Sequence, residues 1–212
     1  FFPLLGVLIL LLLRPEQKQA LRWTALFTAL ITFGLSIWML VRYNLSESGL
    51  QMSVDLPWIQ GGQWTISYSL GVDGLSVLLV LLTTFLTPVA ILSTWTAVEK
   101  NVRGFMVLFL LLEVGMLGVF LSQDLILFYV FWEFTLAPMY FLIGIWGGER
   151  RLYAAIKFFL FTMAGSVLML VAILWLGIAQ GTFSLPALLV QGGLSRDIQV
   201  WLFLAFAAAF AI

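Results

Sequence analysis

The chain contains no cysteine and no histidine, and only 9% of its 212 residues are charged. Without cysteine there are no disulfides, no thiolate-held iron–sulfur clusters and no Cys-based zinc sites. Without histidine the usual haem and zinc ligands are gone as well, so any redox chemistry connected with this protein belongs to another chain. Ten basic and ten acidic residues leave a formal net charge of zero, which gives no handle on nucleic acid or on an acidic substrate. No phosphate-binding glycine loop, catalytic triad or dinucleotide fingerprint is present, and no metal site is expected.

What the chain has in excess is apolar surface: 63% of residues are hydrophobic and the mean hydropathy is +1.12. Soluble domains carry roughly a quarter charged residues, so the composition indicates an integral membrane protein. Apolar runs delimit seven segments, at about 1–13, 23–41, 75–95, 105–121, 125–146, 154–176 and 198–212. All are expected to be helices, because an open sheet cannot hide its edge polar groups in lipid. The predicted fold class is therefore all-α, a polytopic transmembrane bundle forming a single membrane domain over residues 1–212. The first run is short of the roughly 20 residues a full span needs, and the sequence begins at Phe1 and stops at Ile212 within a run. Both terminal segments are accordingly expected to be truncated helices. The longest connection, 42–74, contains LPWIQGGQWTISYS, a candidate short hairpin against the membrane surface, and SLPALL (184–189) is a candidate short surface helix.

Basic residues orient the bundle. The connections after the first, third and fifth segments hold Arg14, Lys18, Arg22, Lys100, Arg103, Arg150 and Arg151, seven of the ten Lys and Arg. By the positive-inside rule these connections face the cytoplasm, which places the amino terminus on the non-cytoplasmic side.

Three ionisable residues remain inside or near the hydrocarbon: Glu133, Glu113 and Lys157. Glu133 lies eight residues past Leu125, roughly 12 Å into its helix. An ionised carboxylate at mid-bilayer costs on the order of 3 kcal/mol. Desolvation and a neighbouring cation act on such a group in opposite senses, and a carboxyl held between the two can take up and release a proton. Pro138 follows five residues later. It cannot donate to the carbonyl of Phe134, so acid and helix breaker together make a hydratable point in a dry helix. A structural role as an interhelical hydrogen-bonding residue is the competing account of Glu133. For Glu113 a protonated, buried structural acid weighs as much, since Gly115 and Gly118 suggest a close helix contact. Lys157 could equally snorkel to the headgroups. Asp73, between two glycines in LGVDGLS, suits a helix cap.

The stretch LGVFLSQDLILFYVFWEFTLAPMYFLIGIWGGERRLYAAIKFFLFTMAGS, residues 117 to 166, closely resembles the antiporter-like M-type subunits of proton-pumping NADH–quinone oxidoreductase, respiratory complex I. It is similar also to the D-type subunits of the cyanobacterial and plastid counterpart. LGVDGLS (70–76) matches the turn that opens the third helix in those proteins. The resemblance implies the first half of an inverted-repeat antiporter-like fold. It implies proton translocation through Glu133, a lysine near the path at Lys157, and an acid of less defined role at Glu113. In the family the fifth-helix glutamate pairs with a lysine on a broken seventh helix, which would follow the final FLAFAAAFAI. Further implications are L- and N-type antiporter-like subunits as neighbours in a bilayer, flavin and iron–sulfur clusters in partner subunits and none in this chain, and a bacterial inner or cyanobacterial thylakoid membrane. Two other assignments stay open on the residues alone: a cation–proton antiporter subunit, and the membrane subunit of a related hydrogenase.

Overall fold

In the computed structural model, which describes residues 1–47, 49–61 and 64–212, eight helices and one β-hairpin follow one another. They are α1 (Pro3–Leu12), α2 (Lys18–Arg42), β1 (Gln51–Gly61), β2 (Trp64–Val72), α3 (Ser76–Ser93), α4 (Val102–Leu121), α5 (Leu125–Trp146), α6 (Arg151–Gln180), α7 (Leu185–Gln191) and α8 (Arg196–Ala211). The five helices α2 to α6 are long and apolar enough to cross a membrane. All seven expected segments are helical, with α2 and α6 longer than their apolar runs because each continues into its basic flank. SLPALL enters α7, a short helix additional to those seven, with Ser184 at its N-cap.

The hairpin is antiparallel, with Gln51 opposite Val72 and Gly61 opposite Trp64. The glycine and glutamine expected to turn it, at 62 and 63, lie outside the described residues. The candidate hairpin of the 42–74 connection is thus a two-stranded ribbon on an otherwise helical bundle. A lone hairpin is marginal in water, and this one is fastened to the helix ends beneath it.

Sequential helices pack as neighbours: α2 on α3, α3 on α4, α4 on α5, α5 on α6, with α1 in the crevice beside α2 and α4 and with α8 laid on α6. Glycines allow the closest approaches. A Cβ at Gly118 of α4 would fall inside the Phe131 ring of α5, and one at Gly6 of α1 would overlap the Thr28 side chain of α2. One core joins α1 to α4 through Leu10, Leu21, Ala25, Ala29, Ile91, Met106 and Leu110; a second joins Ile66, Met169, Ile173, Phe183 and Ala209.

The connections sort to two ends. At one end the three basic connections tie to one another: Arg22 donates to the Val98 carbonyl (2.9 Å), Arg103 to that of Leu13 (3.4 Å), and the Trp146 indole to that of Lys100 (2.8 Å). At the other end the hairpin, the α4–α5 turn and the α6–α7 turn join in two isolated bridges, Leu70 with Ser122 and Asp124 with Ser184.

Candidate functional site

The α5 helix that carries Glu133 is anchored at its start by Asp124. This side chain is 1% exposed. Its Oδ1 accepts from the Ile126 (2.9 Å) and Leu127 (3.2 Å) amides, and its Oδ2 from the Ser67 amide of β2 at 3.0 Å. One carboxylate therefore satisfies two orphan donors of the first helical turn and one strand donor. The Gln123 amide donates to Ser69, the Leu125 amide to Phe183, and the Leu185 amide to Gln123. Through these bonds the α4–α5 turn holds the hairpin over the mouth of α5 and α6. Asp73 does the same for α3. Its Oδ1 accepts from the Ser76 (2.7 Å) and Leu75 (3.1 Å) amides, and its own amide donates to Ser76 Oγ (2.8 Å), the reciprocal arrangement of a capping box.

Two turns below Asp124, Glu133 is half-buried, and its Oε1 is enclosed with no hydrogen-bond partner. The indole Nε1 of the preceding residue, Trp132, is buried and unpartnered too. Tyr129, one turn above, has its hydroxyl beside both the Glu133 carboxylate and Ser166 of α6. Ser166 is fully buried and donates to the Met163 carbonyl at 3.0 Å, which leaves its lone pairs available. The last turn of α8 closes the group. Phe210 meets the Trp132 ring edge-on at 5.1 Å, and Ala209 and Ile212 pack on Gly165, next to Ser166. The cluster is thus a carboxylate, a phenol, a hydroxyl and an indole at one depth, where α5, α6 and the end of α8 converge. Buried polar atoms are normally satisfied. Two buried polar atoms here, Glu133 Oε1 and Trp132 Nε1, have no hydrogen-bond partner among the described residues.

Pro138 is buried within a continuous α5. Near it the Thr135 hydroxyl donates to the Trp132 carbonyl at 2.7 Å.

The three ionisable residues expected in the membrane are not brought together. Glu113 is fully buried with both carboxylate oxygens unpartnered. It lies on the far side of α4 from α5: Gly115, which meets Phe134 and Thr135, is two residues on, about 200° round the helix. Lys157 is exposed on the outer face of α6, with its ammonium 5.9 Å from the Tyr153 ring. Nine residues separate it from Ser166, a half-turn of azimuth at 100° per residue, so it points away from Glu133. Tyr129, Trp132 and Ser166 carry no signal of a site in the sequence, because aromatics and a lone serine are ordinary in an apolar helix. Asp124 carried a legible signal: an acid directly before an apolar run is a cap pattern.

Residues 122–212 match the family described as "NADH:quinone oxidoreductase/Mrp antiporter, TM". Subunit M of NADH-quinone oxidoreductase from Rhodobacter capsulatus is 42% identical, with all of this chain aligned to 44% of that protein. The chloroplastic NAD(P)H-quinone oxidoreductase chain 4 of Chaetosphaeridium globosum is 39% identical, and the alignment covers all of this chain and 42% of that one. Among solved structures, a chain of respiratory complex I from Thermus thermophilus superposes with a TM-score of 0.84 at 32% identity, over 99% of this chain and 42% of that one. The chain thus spans somewhat under half the length of these relatives.

Proposed function

We propose that this chain, similar over its whole length to subunit M, or chain 4, of NADH–quinone oxidoreductase and an integral membrane protein of several spans, translocates protons through Glu133. The observation that carries the proposal is the enclosed, unpartnered Glu133 Oε1, set among Tyr129, Trp132 and Ser166 where α8 arrives. A carboxyl so placed accepts a proton from a water or a side chain brought alongside, and loses it when a cation approaches. The lysine that the family pairs with this glutamate would come to the cluster from the α8 end. Quinone reduction in other subunits would shift that pair between a close state, with Glu133 ionised, and a separated state, with both groups neutral.

The tied basic connections mark the cytoplasmic end under this reading, and the hairpin end faces the opposite side. Protons enter from the first and leave toward the second. Lys157 sits about one and a half turns into α6 from the basic end, where we assign it to the cytoplasmic approach rather than to the Glu133 cluster. Redox groups are carried by partner subunits, and neighbouring antiporter-like chains of L and N type complete the membrane arm.

The test is Glu133→Gln in the assembled complex, since Gln keeps the shape and removes the titratable proton. Quinone-coupled proton pumping in sealed vesicles is expected to fall severalfold at normal assembly. Full pumping in Glu133→Gln and Glu133→Ala would reduce the chain to a scaffold. The same preparation identifies the assembly: a flavin and iron–sulfur arm accompanies an NADH–quinone oxidoreductase, nickel–iron a hydrogenase, and neither an antiporter.

A further inference from the structure

Glu113 stands apart from that mechanism and has no partner of its own. On α4 it lies on the stripe of Met106, Leu110 and Leu117, at i, i+4, i+7 and i+11. Met106 and Leu110 belong to the core built with α1, α2 and α3, so the stripe on which Glu113 continues faces those helices.

One turn beyond that core, the same faces of α2 and α3 become polar. On α2 the buried stripe Leu21, Ala25, Ala29 gives way to Thr32 and Ser36. On α3 Ile91 is followed toward the hairpin end by Thr87, Thr84 and Thr83. All five hydroxyl residues are under 9% exposed, and Ser36 Oγ and Thr84 Oγ1 are hydrogen-bonded across the two helices at 2.7 Å. Thr32 donates to the Thr28 carbonyl, Thr83 to Leu79 and Thr87 to Thr83. Their protons are thus committed within their own helices, while their oxygen lone pairs remain free. Pro88 is buried in α3 and has no amide proton for the carbonyl of Thr84, one turn back, which adds another acceptor at this depth. The pairing of acid and helix breaker seen on α5 therefore recurs here, with acid and proline on neighbouring helices.

Among the described residues no other charged group competes. Within its bounds α1 has none, α3 has none, and those of α2 (Lys18, Arg22, Arg42) lie in its outer turns, with Arg22 bound to the Val98 carbonyl. Arg103, in the first turn of α4, is spent on Leu13. On α5, Glu133 and Tyr129 are turned toward α6, and Tyr68 and Asp55 belong to the hairpin.

We propose that Glu113 and the hydroxyl seam of Thr32, Ser36, Thr83, Thr84 and Thr87 form a second, hydrated proton-binding site, separate from the Glu133 cluster and closed at the basic end by the α1–α4 apolar core. The seam supplies acceptors without donors. Water is the molecule that can donate to an ionised Glu113 and to these oxygens alike, and buried waters take such sites with about three hydrogen bonds each. A proton then moves between that water and Glu113, with no change in the hydroxyls. A dry protonated acid could give its one O–H to a seam oxygen, but its carbonyl oxygen would be left without a donor.

The test uses the assembled complex in membranes and exploits the missing cysteines. Thr84→Cys and Thr87→Cys are compared with Ala29→Cys, from the neighbouring apolar core, using a small membrane-permeant methanethiosulfonate and mass readout on peptides of this chain. Only a hydrated thiol ionises and reacts, so the seam cysteines are expected to label faster than Ala29→Cys by about tenfold or more. Independently, Glu113→Gln should remove a protonated-carboxyl infrared band that shifts on exchange into D2O. Labelling of the seam cysteines no faster than of Ala29→Cys overturns the proposal, as does a Glu113 band indifferent to D2O. Should Glu113→Gln fail to assemble, the cysteine comparison decides. Neither readout depends on whether Glu133 pumps.

Discussion

Asp124 is the sharpest place to perturb the scaffold that positions Glu133. Replacing it with alanine removes the acceptor for three amides, those of Ile126, Leu127 and Ser67. Loss of the helix cap costs about 1–2 kcal/mol. Stranding the part-buried Ser67 amide, previously bonded to a charged oxygen, costs roughly 1.5–3 kcal/mol. The sum, about 2.5–5 kcal/mol, would lower the midpoint of thermal unfolding by roughly 10 °C for a unit of this size. Asp124→Asn separates the two contributions. It keeps an oxygen for the α5 cap but sets an amide NH2 against the Ser67 N–H, so it should lose the strand bond alone. The expected order of stability is Asp, then Asn, then Ala, with about 1–2 kcal/mol between the last two. The assay is thermal unfolding of the purified complex, followed by release of this chain. Equal midpoints for Asn and Ala would refute the account of the cap. An Ala variant within about 0.5 kcal/mol of the parent would refute the view that this carboxylate fastens the hairpin to α5.

Other outcomes follow from single contacts. Gly118→Leu forces a side chain into the Phe131 ring and should separate α4 from α5, at a cost of about 1–3 kcal/mol, read as reduced assembly. Gly177→Ala does the same to Phe183, which packs edge-on against Trp64 at 5.9 Å; protease sensitivity of the hairpin should rise. Ser166→Ala should leave folding intact and slow proton uptake at Glu133, because only a hydroxyl beside Tyr129 is lost; unchanged pumping rates would exclude Ser166 from the path. Lys157→Ala should alter pumping without altering assembly, since the side chain is exposed and its nearest aromatic neighbour is Tyr153; loss of assembly would assign it to packing.

The sequence by itself determined the class, the number of apolar segments, the end to which each connection belongs, and the depth of each membrane acid. These are one-dimensional quantities. Hydropathy and the demand for internal backbone hydrogen bonds leave an apolar run no conformation but a helix, and depth follows from residues counted along it. The caps at Asp73 and Asp124 were also local, set by an acid just before an apolar run. What only the tertiary structure decided was azimuth: that Glu133 turns to Tyr129 and Ser166, that Glu113 turns away from α5 on the stripe of Met106 and Leu110 that packs on α1, α2 and α3, and that Lys157 points outward. In a soluble helix an apolar stripe would announce the buried face. Here the exposed faces, with Leu82, Phe85, Leu160 and Phe161 about half exposed, are as apolar as the buried ones. Lipid and protein interior solvate such side chains alike, so the rotation of each helix is fixed by close packing at small residues and becomes visible only when the helices are assembled.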